Sequence, residues 1–257
     1  MDFDKRILVC EDSLEGIFTG VYDGWKWKLR GKQVEISVRE PEYPDFFTTI
    51  MTVPADTEKA GKVLRTISSR LGHAVYEALC YAAVSCCPDK GTLVFRVLWM
   101  ALSGRKCDRR ILENLADPDV NMVAKLRIKV WHELHRFYGF VRFREISGSV
   151  LFSEIAPEND ILEMLGTHFT DRFPNENWMI YDSGRKKVLL HPRGQAPYIQ
   201  KNAVIDRNAG NEPVQKEEYE ELWKRFCYSV TIQERKNPHL QQQFLPLKFR
   251  SNMTEFE

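Results

Sequence analysis

The sequence lacks the compact motifs that assign a metal or nucleotide chemistry. His132 and His135 in the segment WHELH are three residues apart, whereas the zinc-binding H-E-x-x-H motif places its histidines four apart. The turn at residues 103–106 lacks the glycine spacing of a phosphate-binding loop. No C-x-x-x-C-x-x-C segment is present to hold a radical-type iron–sulfur centre. We therefore expect neither a metal nor a bound cofactor.

The chain also lacks an excess of charge of either sign. It contains 37 lysine and arginine residues against 36 aspartate and glutamate residues, which leaves a formal net charge of +1. This balance excludes a uniformly basic nucleic-acid-binding protein. An anionic partner would have to contact a local basic patch.

Secretion and membrane insertion signals are missing as well. The start MDFDKRILVCEDS does not resemble a signal peptide, and the longest apolar run, TLVFRVLWMAL, is interrupted by Arg96 and too short to span a bilayer. Six cysteines at irregular spacings do not form a secreted disulfide framework. We therefore expect a cytoplasmic protein that makes no membrane contact.

The hydrophobic pattern changes along the chain. Residues 57–138 have helical spacing, and residues 139–232 are rich in hairpins, with turns at Ser147-Gly148 and Ser183-Gly184. We expect the tail, residues 233–257, to wrap over the surface without regular structure. The pattern predicts a single α+β domain over residues 1–257, with a helical layer in the first half packed on antiparallel β-hairpins in a mixed sheet.

A basic stripe marks the predicted helix at residues 118–138. On a helical wheel an apolar face of valine, leucine and phenylalanine lies opposite a narrow row of cations, and the next strand adds two arginines. Such a row can bind phosphates, or it can be an ordinary solvated helix face. The nucleic-acid-binding candidates are Lys125, Lys129, His132, Arg136, Arg142 and Arg144.

The segment THFTDRFPNENWMIYD contains the candidates for catalysis. His168, Asp171 and Arg172 are three or four residues apart on one predicted helix side, and Asp182 follows on the next strand. This group can perform acid–base chemistry or bind an anion, or it can stabilise its own helix end. Trp178 and Tyr181 could stack on a base, although aromatic residues in strands more often pack in the core.

Five separated stretches resemble a known family. They are VCEDSLEGIFTGVYDGW, HRFYGFVRFRE, IAPENDILEMLGTHFTDRFPNENWMIYD, ERKNPHLQQQFLP and TEFE. In this order they resemble a bacterial domain-of-unknown-function family that is labelled a probable DNA metabolism protein. The resemblance implies a companion of a radical S-adenosylmethionine (radical SAM) protein of DNA modification or repair. A similar domain occurs fused to uracil-DNA glycosylase, and this chain resembles the stand-alone form.

Three functions remain open at this point. The first is an accessory protein of DNA metabolism that binds DNA, a radical SAM partner, or both. The second is an enzyme that acts on a nucleotide or damaged base through His168, Asp171 and Arg172, with Tyr181 or Asp182. The third is a protein-interaction module, for which the apolar stripe of a predicted helix at residues 217–232 would be the docking face if it were exposed.

Overall fold

A computed structural model describes residues 5–43, 45–104, 107–146, 150–203, 225, 228–229 and 237–252. The chain divides into two compact units. Unit 1 comprises Met1–Glu133 and Glu158–Asp160, and unit 2 comprises Leu134–Pro157 and Ile161–Glu257. The interpretation of residues 1–257 as one domain stays a prediction.

Unit 1 contains a three-stranded parallel sheet. Its strands are β1 (Lys5–Cys10), β2 (Gln33–Ser37) and β3 (Thr48–Val53), in the order β2-β1-β3. Lys5 lies opposite Gln33 on one side and Thr48 on the other, so all three strands begin at the same edge. We call this edge the amino edge of the sheet.

Helix α1 (Leu14–Leu29) runs back across this sheet from β1 to β2. Ser13 caps its start by accepting a hydrogen bond from the Gly16 amide at 3.1 Å. Gly24 permits a close approach, because a Cβ there would lie 3.0 Å from Val34 Cγ1 and 3.3 Å from Leu8 Cδ1. One turn later, the Trp27 ring lies 3.7 Å from the Arg6 guanidinium carbon, near the amino edge.

Four further helices follow β3. They are α2 (Thr57–Leu71), α3 (His73–Val84), α4 (Lys90–Ser103) and α5 (Pro118–Phe140), with a short 3-10 turn at Ile111–Glu113. Asp56 caps α2 by accepting from the Glu58 and Lys59 amides at 2.9 and 3.0 Å. Asp117 caps α5 in the same way, with Pro118 at the first helical position, where its missing N–H is not needed.

Unit 2 contains a five-stranded mixed sheet. Its strands are β4 (Arg144–Ile146), β5 (Val150–Ile155), β6 (Asn177–Asp182), β7 (Lys187–His191) and β8 (Tyr198–Gln200), in sequential order. The pair β5–β6 is parallel and is connected through α6 (Leu162–Arg172), while the other pairs are antiparallel. Near the end, α7 (Pro238–Phe244) precedes a 3-10 helix at Leu247–Asn252.

The α+β class and the mixed sheet are confirmed. The strand pairs of both predicted hairpins, β4–β5 and β6–β7, are antiparallel, and the predicted turn at Ser147-Gly148 lies outside the described residues. The expectation of an irregular tail is wrong for α7 and the following 3-10 helix. The predicted helix at residues 217–232 lies outside the described residues, apart from 225 and 228–229.

Candidate functional site

Helix α5 separates a buried face from an exposed basic face, as its heptad-like spacing predicts. Its apolar residues are buried: Val120, Val123, Leu126, Val130, Leu134 and Phe137. The side chains of Lys125, Lys129, His132 and Arg136 are exposed. We call these four residues the α5 basic stripe. The first three belong to unit 1 and Arg136 belongs to unit 2.

The members of the α5 basic stripe differ in their neighbours. Lys129 Nζ lies 3.2 Å from a Glu158 carboxylate oxygen and 3.6 Å from Cys86 Sγ, and the hydrogen bond to Glu158 raises the pKa of Lys129. Lys125 and Arg136 form no ion pair with the described residues. Their charges are therefore available to an anionic partner, whereas Lys129 would first have to leave Glu158.

The two arginines after α5 have structural contacts in unit 2. Arg142 Nη1 donates hydrogen bonds to the carbonyl oxygens of Gly139 at 2.7 Å and Val141 at 3.3 Å, so it caps the end of α5. Arg144 is exposed, and its guanidinium carbon lies 5.2 Å from the Phe152 ring centre. Of the two, Arg144 is the more exposed, while Arg142 is half-buried.

His168 is held in an aromatic stack. Its ring lies 4.2 Å from the Tyr138 ring at an interplanar angle of 22°, and its Nε2 is buried with no hydrogen-bond partner among the described residues. Desolvation, with a smaller contribution from the Arg172 charge, lowers the pKa of His168 below its ordinary value. Burial also raises the pKa of Tyr138. The imidazole therefore loses its proton at a lower pH than an ordinary histidine.

Among the described residues no hydrogen bond links His168 to another catalytic candidate, although the charges of Asp171 and Arg172 act on its pKa in opposite directions. Asp171 and Arg172 are exposed at the end of α6, where the Arg172 guanidinium carbon lies 5.7 Å from the Phe173 ring. Asp182 is fully buried and accepts hydrogen bonds from the Gly184 and Arg185 amides at 3.0 and 3.1 Å. Because its carboxylate holds this turn and an ion pair to Arg185, Asp182 is a structural residue.

Trp178 is a core residue and cannot stack on a base. It is 1% exposed, and its ring packs on His191 at 4.8 Å with an interplanar angle of 9°. Phe143 and Phe169 contact it edge-on. Tyr181, on the same strand, is half-buried. The proposed pair of stacking aromatics is thus reduced to Tyr181.

Unit 2 also contains a small cleft between the end of α5, β5 and the terminal 3-10 helix. Phe137, Phe140 and Phe249 line it together with Arg142 and Glu154. Its cavity volume of about 20 Å³ holds roughly one water molecule. A cavity of this size is too small to enclose a nucleobase.

A second basic surface, which the motif search missed, lies at the amino edge of the unit 1 sheet. The segment WKWKLRGK at residues 25–32 contains four lysine and arginine residues, two tryptophans and no acidic residue. Arg6, Lys26 and Arg30 surround the Trp27 ring at 3.7, 5.5 and 5.0 Å. The alternation of aromatic and basic residues was the available signal in the sequence.

The described part of the chain offers no cluster of three or more histidine, cysteine or acidic side chains able to hold a metal ion. Among the described helices, none is both long and apolar enough to cross a bilayer.

Comparisons with known proteins show a family similarity and a structural similarity. The model of the family described as Domain of unknown function (DUF4130) matches residues 88–255. No curated protein matches the chain. A solved structure described as a DHH-domain member of a family of ribosomal proteins is 10% identical and covers 73% of each chain, with a TM-score of 0.33. That score is too low to support an argument. Because the family model covers more than half of the sequence, the chain belongs to the DUF4130 family of domains of unknown function.

Proposed function

We propose that this protein is an accessory protein of DNA metabolism that binds nucleic acid through the α5 basic stripe and works with a radical SAM partner. The observation that carries the nucleic-acid part is the exposure of Lys125, His132 and Arg136 on the side of α5 opposite its buried apolar residues. The radical SAM partnership and the link to DNA rest on the sequence resemblance alone.

The geometry of α5 supports a backbone contact. Residues four apart on a helix are about 6 Å apart along its axis, so the stripe offers cations at a spacing comparable to that of successive phosphates. A row of this kind contacts phosphates without reading bases. The near-zero net charge of the chain adds little attraction of its own. The affinity should therefore depend on the few cations of the stripe.

An enzyme that uses the α6 cluster has less support. Asp182 is committed to its turn, and Asp171 and Arg172 are exposed, so His168 has no carboxylate partner positioned for proton transfer among the described residues. The protein-interaction alternative depends on residues 217–232, most of which lie outside the described residues.

Fluorescence anisotropy with labelled duplex DNA tests the proposal. For three phosphate contacts we expect the affinity to fall roughly 40-fold between about 50 and about 200 mM salt. The variant Lys125→Ala/Lys129→Ala/Arg136→Ala should lose most of the binding and keep its circular dichroism spectrum. The control variant Lys62→Ala/Arg110→Ala removes two exposed cations that are paired with Glu58 and Glu113, and should bind like the wild type.

The partner requires a separate experiment. Co-expression with a radical SAM protein from the same genome, followed by affinity purification of the tagged chain, should recover a stoichiometric complex. Wild-type protein that binds no duplex at low salt would contradict the DNA contact. Failure to recover the partner under conditions where both proteins are soluble would contradict the accessory role.

A further inference from the structure

The amino edge of the unit 1 sheet brings three chain segments together. Because β1, β2 and β3 are parallel, the residues that lead into them meet at one edge. These residues are Arg6 at the start of β1, Arg30 in the turn before β2, and Phe46 two residues before β3. Two of the segments supply cations and the third supplies an exposed aromatic ring.

Three cations share one indole ring at this edge. The Arg6 guanidinium carbon lies 3.7 Å from the Trp27 ring centre, that of Arg30 lies 5.0 Å away, and Lys26 Nζ lies 5.5 Å away. Each contact is favourable by itself, but like charges gathered around one ring repel each other. An anion beside the ring would relieve that repulsion.

Acidic side chains compensate this charge only in part. Lys26 Nζ lies 4.0 Å from Asp23 Oδ1, but Asp23 is already held by Lys59 at 2.9 Å. Arg30 forms no ion pair within the described ranges of the chain. The neighbouring Lys5 differs, because Glu35 at 3.1 Å and Asp45 at 3.8 Å neutralise it. The uncompensated charge is therefore concentrated at Lys26 and Arg30.

Exposed apolar side chains lie in the segments that reach this edge. The side chains of Phe46 and Phe47 are 95% and 72% exposed, and Leu29 at the end of α1 is 69% exposed. Single-strand-binding proteins combine basic residues that follow the backbone with aromatic rings on which bases stack. A duplex keeps its bases stacked inside and cannot offer their faces to a phenylalanine.

We infer that the surface formed by Arg6, Lys26, Trp27, Arg30 and Phe46 binds single-stranded nucleic acid. Lys26 and Arg30 bind phosphates, and Phe46 stacks on a base. We call these five residues the amino-edge surface. They lie outside residues 88–255, which the family model matches. The inference deepens the proposed function, on which it rests for the class of partner, and adds a second contact that prefers unpaired strands.

An anionic membrane is the other partner that basic and aromatic residues can attract. Single-stranded nucleic acid is favoured because Glu42 and Asp45 lie next to the aromatic residues in the sequence, and Asp45 is 79% exposed. A broad anionic bilayer would press against these carboxylates. A single strand is narrow enough to follow Lys26 and Arg30 and leave the carboxylates in water.

The test measures anisotropy of a labelled oligothymidine and of a duplex of the same length, with the full chain. Lys26→Ala/Arg30→Ala should weaken oligothymidine binding and lower the slope of log affinity against log salt by about 1.4. Phe46→Ala should weaken oligothymidine binding about fivefold and leave duplex binding unchanged. The controls are Lys62→Ala/Arg110→Ala for the charges and Tyr198→Ala for an exposed aromatic residue in unit 2.

Photo-cross-linking of a bromodeoxyuridine oligonucleotide to the wild-type protein provides a readout that needs no variant. Peptides that contain Phe46 or Trp27 should carry the cross-link. Cross-links confined to α5 would overturn the inference and leave the proposed function intact. The inference would also be overturned if oligothymidine binding were lost in the Lys125→Ala/Lys129→Ala/Arg136→Ala variant and normal in the Lys26→Ala/Arg30→Ala variant, and the proposed function would again stand.

The opposite result would support the amino-edge surface and contradict the α5 basic stripe. If only the Lys26/Arg30 and Phe46 variants lose oligothymidine binding, the amino-edge surface stands and the α5 basic stripe fails. Equal weakening by the control variants would overturn the inference, because the effect would then be one of total charge. Binding to vesicles that contain phosphatidylserine, with none to either oligonucleotide, would overturn both.

Discussion

The buried Glu133 carboxylate is held by three N–H groups. Its carboxylate accepts hydrogen bonds from the Glu158 amide at 2.8 Å, the Asn159 amide at 2.9 Å and Asn159 Nδ2 at 2.6 Å. Asn159 is fully buried and accepts in turn from the Cys86 amide at 2.9 Å. We expect Glu133→Ala to lower the free energy of unfolding by about 3 kcal/mol, because it leaves these buried donors unsatisfied.

Urea denaturation measures this change. Glu133→Gln keeps one acceptor oxygen and should lose about half as much. The control is Glu77→Gln, which removes a partly exposed ion pair with Arg127 at 3.3 Å and should change stability by less than about 1 kcal/mol. Equal losses for Glu133→Ala and Glu77→Gln would show that the Glu133 network does not stabilise unit 1.

His168 makes the stability depend on pH in a defined direction. Its pKa is lowered in the folded state, chiefly by desolvation, so the unfolded chain takes up a proton first as the pH falls below 6.5. Above that pH His168 therefore does not weaken the folded state, whereas acidification below it lowers the free energy of unfolding. We expect an NMR titration of the imidazole to give a pKa below 6.5. The substitution His168→Asn should reduce the free energy of unfolding that is lost on acidification. A normal titration midpoint would contradict the burial of this ring.

The burial of two single residues shows which part of the candidate site the sequence does not determine. Trp178 and Asp182 alternate with Tyr181 in one strand, and the sequence does not tell which face of that strand points inward. The structure places Trp178 against His191, and that contact depends on the pairing of β6 with β7. Their burial follows from the register of the strands, which is fixed by distant residues and not by local spacing.

At the scale of elements, α4 protects the open edge of β2. Thr92 Oγ1 accepts a hydrogen bond from the Ile36 amide at 2.9 Å and donates one to the Ile36 carbonyl oxygen at 3.1 Å. These bonds satisfy backbone groups of β2, an edge strand that has no further neighbour among the described strands. Gly91 allows this contact, because a Cβ there would lie 2.7 Å from the Ile36 carbonyl oxygen. We expect Gly91→Ala to destabilise the protein by about 1–3 kcal/mol through overpacking.

Thermal unfolding followed by circular dichroism tests this docking. Gly139→Ala is the matched control, since a Cβ at Gly139 in α5 meets nothing within 4 Å among the described residues. Alanine has the higher helix propensity, so this substitution should stabilise the protein by up to about 1 kcal/mol. If both substitutions raise the midpoint, α4 does not approach β2 as closely as the structure indicates.

The sequence predicted elements better than their partners. The spacing of apolar residues predicted a helix at residues 118–138, and the structure has α5 at Pro118–Phe140. The parallel order β2-β1-β3 of the first sheet was not predicted. Periodicity reports which side of an element is apolar, whereas pairing depends on contacts between residues far apart in sequence.

At the scale of the whole molecule, burial separates the cysteines into reactive and protected groups. Cys86 is exposed, and Cys10 and Cys80 are buried. Burial raises the pKa of Cys10 to about 12, so almost none of it is thiolate at neutral pH. Only the thiolate attacks an alkylating reagent. Labelling of Cys10 therefore requires its release from the space between β1 and α1.

We expect iodoacetamide to label Cys86 within minutes under native conditions and Cys10 only as the protein unfolds, with both sites followed by mass spectrometry of peptides. The rate at Cys10 should rise with urea in parallel with the unfolding transition, because unit 1 has to open before the thiol meets solvent. The rate at Cys86 should stay nearly constant over the same range and serves as the internal control. Rapid labelling of Cys10 without urea would show that α1 leaves the sheet in a local opening whose free energy is far smaller than that of global unfolding. The amino-edge surface at the other end of α1 would then lack a rigid support.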